Sequence, residues 1–214
     1  FNIPIGPQKY YILYEFISDK IIVTYPIGGE GVVPYRSEFI QWDTYGTQGY
    51  FDVEYSVDNG VSWTSIGNQV NGSSRIKQWP IPNSVSGQAL VRVSRDGISG
   101  QSSDVFSIID FPKNININNV CECEFSISWN EVPFAAKYEI SVLGEKYMDS
   151  IGSTTETSYN IPIDNPNDEV WFSVRAITQN GTKGVRAVAE YYDGSGVSNC
   201  LLNSNRIFAS TSGK

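Results

Sequence analysis

Histidine is absent from the 214 residues, and with it go Ser-His-Asp and Cys-His catalysis and the usual histidine-bearing zinc sites. Basic residues are few: 15 Lys and Arg stand against 23 Asp and Glu, a net charge of −8. That balance argues against nucleic acid, which needs a basic patch to displace counterions, and against a polybasic anchor on an anionic membrane. No run of about 18 apolar residues occurs, so no helical membrane span is expected. Cysteine is limited to Cys121, Cys123 and Cys200, an odd count whose CxC pair lacks a second pair of ligands for zinc. A nucleophile elbow, a phosphate loop and a paired-carboxylate cleft are all missing, so the chain reads as a non-enzyme without cofactor. It opens on Phe1 with no charged-then-apolar leader, as a mature protein or an excised piece would.

What is present is a series of short strands separated by turns. In WFSVRAITQNGTKGVR, residues 171–186, Phe172, Val174 and Ala176 alternate with polar Ser173 and Arg175, the period of a strand with one buried face. Asn180-Gly181 then reverses the chain, and a partner strand is expected from Val185. Upstream, IIVTYP, FIQWD, YFDVEYS, VSWTSIG, RIKQWPIP, ALVRVSR and DVFSII form a first strand series, with a turn every 8–12 residues or so. After Phe111-Pro112 the series repeats as FSISWN, YEISVLG, KYMDSIG, TSYNIPI, VWFSVRAIT and GVRAVAEYY. Phe39-x-x-Trp42 and Phe125-x-x-x-Trp129 take the same place in each series, as do Ile81-Pro82 and Ile161-Pro162. The expected fold is all-β: two tandem β-sandwiches at 21–110 and 111–200, a lead-in at 1–20, and a polar tail at 201–214. Within the lead-in, YYILYEFI opens on Tyr10 and closes on Ile17, apolar on both strand faces. It reads as a strand that closes a sheet of this chain or of a truncated upstream domain, or as one donated to a neighbouring subunit.

The second series resembles a fibronectin type III domain, on the strength of Trp129, Tyr138-x-Ile140 and Phe172-x-Val174-x-Ala176 before Asn180-Gly181. It departs from that family at the tyrosine corner, where Val170 stands. The first series is similar to the fibronectin/immunoglobulin-like modules that open on YPIGGE. Its carriers are Tyr25-Pro26-x-Gly28-Gly29-Glu30, Ile40-x-Trp42, Tyr55-Ser56-x-Asp58-x-Gly60-x-Ser62-Trp63 and Arg92-Val93. The resemblance implies an extracellular or cell-surface location in a secreted bacterial multidomain protein, including those exported by the type IX route. It also implies that other domains of that protein are the chain's partners.

Several residues are candidates for more than architecture. Ser56, Asp58, Gly60 and Trp63 form an Asp-box-like turn, in which the carboxylate accepts turn amides and the indole packs beneath. In a fibronectin-type sandwich the second strand begins at the pole where the last strand ends, so a Cys121–Cys200 disulfide is expected there. Closing about 80 residues, it would contribute ~2–4 kcal/mol in an oxidising compartment. Asp164, Asn167 and Asp168 form a Pro-interrupted loop, a weak Ca²⁺ candidate whose plainer reading is a solvated turn. Asp149-Ser150-Ile151 resembles an O-glycosylation signal of bacterial exported proteins, with Ser150 the acceptor, and Asn71 and Asn180 sit in N-glycosylation patterns. Asp52 and Glu54 alternate with apolar neighbours and are expected on a solvent face. Trp42, Trp63, Trp129 and Trp171 are expected inside, whereas Trp79, Tyr191 and Tyr192 are left as candidates for a sugar-stacking face. Three functional readings follow: a non-catalytic spacer module pair, a self-assembling subunit of a filament or surface layer that donates the Tyr10-to-Ile17 strand to identical subunits, and a carbohydrate-binding accessory module for surface glycans.

Overall fold

The computed structural model describes residues 20–45, 49–121 and 123–195. The apolar segment at 10–17, Cys200 and the tail lie outside the described residues.

Two three-stranded sheets and two larger ones make up the fold, and every described element is a strand. In the first half, β1 (Lys20–Tyr25), β3 (Ser37–Tyr45) and β6 (Ile76–Pro80) pair in the order β1-β3-β6. Facing them is a sheet of order β2-β9-β7-β4-β5, with β8 also on β7. Its strands are β2 (Gly31–Val32), β4 (Phe51–Ser56), β5 (Thr64–Val70), β7 (Ser86–Arg95), β8 (Ile98–Gln101) and β9 (Phe106–Ile108). The second half repeats the plan. Strands β10 (Asn116–Val120), β11 (Glu124–Ser128) and β14 (Ser158–Pro162) form one sheet. The other runs β13 (Met148–Thr154), β12 (Lys137–Leu143), β15 (Val170–Ile177), β16 (Lys183–Arg186), with β17 (Glu190–Tyr192) also on β15. The chain is thus two tandem fibronectin type III-like β-sandwiches.

Alternation places the cores. In β3 the inward residues are Ile40 and Trp42, both buried, while Phe39 is 46% exposed. The inner pair that repeats is therefore Ile40-x-Trp42 with Ile127-x-Trp129, not Phe39 with Phe125. Trp42 meets Phe51 edge-on at 5.3 Å and 66°, and Trp129 meets Tyr138 at 5.3 Å and 67°. Each of these edge-to-face pairs adds to the area its rings bury.

Two elements escaped the sequence. The two-residue β2 pairs parallel to β9, and β8 carries no apolar alternation to announce it. β8 and β9 are the two pieces of a last strand broken from Ser102, and β2 pairs with the second piece. There the Ser102 hydroxyl donates to Pro26 O at 2.8 Å and accepts from Val91 N at 3.1 Å. The YPIGGE loop is fastened to the same break. The Glu30 carboxylate accepts from the amides of Ile27 (2.9 Å) and Gly28 (2.6 Å), and Asp104 N donates to Ile27 O. A side-chain cap takes over turn amides that would otherwise lack partners.

The missing tyrosine corner is replaced from the neighbouring strand. Val170 pairs across the sheet with Tyr192, whose hydroxyl donates to Pro166 O in the loop before β15. The corner's hydrogen bond survives, supplied by β17 instead of β15.

Candidate functional site

The Asp-box-like turn is built as its residues dictate. Asn59 and Gly60 take positive φ (58° and 84°), the geometry of a tight hairpin. The Asp58 carboxylate accepts from Ser62 Oγ (2.5 Å), Ser62 N (2.9 Å) and Ser56 Oγ (2.7 Å). These bonds, led by the Ser62 hydroxyl, hold its pKa down to about 2. Trp63 lies outside the core, half-buried, against the expectation that it is inside. Its Nε1 donates to Gly60 O at 3.0 Å, and the Arg92 guanidinium lies 4.1 Å over its ring. Arg92 in turn pairs with Glu54 at 2.7 Å on the outer face, while Asp52 is exposed.

Cys123 is a free, exposed thiol. In the 164–168 loop, Asp168 Oδ2 accepts from Asn165 N at 2.8 Å, so that carboxylate is engaged in turning the chain. Among the described residues no group of three or more His, Cys, Asp or Glu is placed to hold a metal. Ser150 is exposed on the strand β13, paired with Ser141 of β12.

The outer face of the second large sheet carries an ion cluster that the sequence did not announce. Glu139 is 5% exposed, yet it meets Arg175 at 2.6 Å, Lys183 at 2.7 Å and Arg186 at 3.3 Å. Burial opposes its charge, but the hydrogen bonds from Lys183 and Arg175 outweigh it and hold the carboxyl below the usual range. Burial and the nearby Arg175 charge lower the Arg186 pKa.

Trp171 is 46% exposed and Trp79 only 1%, reversing the expectation for both. Trp79 packs edge-on against Phe106 inside the first sandwich, so it offers no face to a sugar. Tyr192 is buried and Tyr191 is 39% exposed, its ring 4.7 Å from that of Trp171.

The two sandwiches meet at a junction with no slack. Ile108 belongs to the first core and Ile109 to the second, so consecutive residues of one extended segment plug into different cores. Strand β16 lies against β2 and β9. Ser107 Oγ donates to Lys183 O at 2.9 Å, and Thr182 Oγ1 donates to Gly87 O at 3.1 Å. Glycine is required on the first sandwich's side. A Cβ at Gly31 would lie 2.6 Å from backbone atoms of Gly184 and Val185, and one at Gly87 would lie 2.3 Å from Thr178 Oγ1. Arg36 covers Phe111 at 5.2 Å, which closes the connection on its far side.

No protein-family model and no curated protein matches the chain. Solved structures do. FN3tt is 20% identical over 40% of this chain and 96% of its own, with a TM-score of 0.35. A two-domain fibronectin type III segment of chicken tenascin is 10% identical, covering 82% of this chain and 98% of its own, with a TM-score of 0.41. A cytokine receptor complex is 11% identical over 83% and 98%, with a TM-score of 0.49. At such identities and scores the fold assignment rests on strand order and register, and these proteins' activities carry nothing over.

Proposed function

We propose that this chain is a non-catalytic spacer: a sandwich pair that sets a fixed geometry between other domains of a secreted or cell-surface bacterial protein. The observation that carries the reading is the junction. A spacer needs a defined angle between its modules, and interdomain angles are free by default unless the interface is tight. Here one peptide step links the two cores, and two side chain-to-backbone hydrogen bonds cross the joint. The secreted bacterial context rests on the YPIGGE resemblance alone. A Cys121–Cys200 bridge fits that context and would leave Cys123 as the free thiol. Intact mass before and after reductant checks the bridge, and three free thiols in fresh native protein would remove it. The exposure of Ser150 leaves its hydroxyl accessible to a glycan, which a mass ladder on its peptide would reveal.

Solution scattering with mass determination tests the spacer reading. We expect a monomer of 23.8 kDa with one concentration-independent profile. Regular polymers would instead favour the self-assembling subunit, with residues 10–17 as the donated strand.

A further inference from the structure

The second sandwich carries a groove that no spacer needs. It lies beside Trp171 with a volume of about 590 Å³, lined on its apolar side by Val142, Leu143 and Ile163 and on its polar side by Asp164, Asp168 and Glu169. Leu143 is 50% exposed, so the floor is open to solvent. Trp171 and Tyr191 are directly opposed on β15 and β17, with their rings 32° apart. Interaction with the nearby Glu169 raises the Tyr191 pKa. The indole is thus backed by a second ring. An exposed tryptophan fixed in this way spends little conformational entropy on binding.

We propose that this groove binds a neutral oligosaccharide, with one pyranose ring against Trp171 and its hydroxyls donating to the Asp164, Asp168 and Glu169 carboxylates. The chemistry of the lining selects that class. An aromatic face takes the C–H face of a sugar, and carboxylates accept from hydroxyls. No Lys or Arg lines the groove, so an acidic sugar would meet only like charge. The site is independent of the junction, and it stands or falls apart from the spacer reading.

Affinity electrophoresis of the full chain in gels containing neutral glucan, mannan, xylan or galactan tests the proposal, with an acidic polysaccharide and polylysine as further arms. At least one neutral gel should retard the protein, and Trp171→Ala should weaken that binding about tenfold or more. Tyr191→Ala should weaken it less. The same polysaccharide should shield a tryptophan from iodide quenching in the unmodified chain, a readout that does not depend on any variant folding. Retardation confined to the acidic gel or to polylysine, no retardation in any neutral gel, or neutral-gel binding unchanged in a folded Trp171→Ala chain would each overturn it.

Discussion

The two sandwiches agree on the inside and part company on the outside. Their inner aromatic pairs, Trp42 with Phe51 and Trp129 with Tyr138, have the same centroid distance and differ by one degree in angle. On the outer face each joins its third and sixth principal strands by a Glu–Arg pair, Glu54 with Arg92 and Glu139 with Arg175. The first pair is partly solvated, with side chains 24% and 32% exposed, and its arginine doubles as a lid on Trp63. The second has slipped two residues toward the start of its strand relative to the aligned core positions Val53 and Ile140, and its glutamate is nearly sealed beneath three cations. Core packing leaves little freedom once the topology is set, whereas an outer sheet face is free to diverge.

That contrast predicts unequal costs for the same substitution. Glu139→Gln removes the only anion facing Arg175, Lys183 and Arg186 among the described ion pairs, and should cost about 3 kcal/mol in urea unfolding. Glu54→Gln should cost no more than about 1 kcal/mol, because water replaces its partner. Equal costs would break the comparison. Next in size, Tyr192→Phe removes the hydroxyl that reaches Pro166 O and should cost about 1 kcal/mol while leaving the fold intact by near-UV circular dichroism. The smallest effect belongs to the first sandwich's Asp58 turn. Its folded carboxyl is held below the ordinary 3.8, so the unfolded chain takes up that proton first as pH falls. The turn's contribution is complete above the ordinary value and disappears as pH drops to about 2. Asp58→Asn should flatten that part of the pH–stability curve, and an unchanged curve would count against the hydrogen-bond account.

Much of the fold could be read from the chain because it depends on period and turn chemistry. Phe172, Val174 and Ala176 point into the core as read, although Ser173 on the opposite face is also buried, its hydroxyl donating to Ala187 O. The same alternation places Trp171 outside, next to inward Phe172, and period prevails there over the preference of a large aromatic for the core. Glu139 was invisible for another reason. Its three cations come from two other strands, and no local pattern shows which cross-strand neighbours a carboxylate will meet. The junction depends on single-atom clearances at Gly31 and Gly87, which sequence alone does not distinguish from ordinary turn glycines.

The central claim is that the joint holds the two sandwiches as one rigid body. Residual dipolar couplings from 15N-labelled backbone amides of both halves, in a weakly aligned sample, test it without attaching a probe to the surface. One alignment tensor should fit both halves, and Gly31→Val, which forces a side chain against Gly184 and Val185, should split it into two. Two different tensors in the unmodified protein would contradict the account.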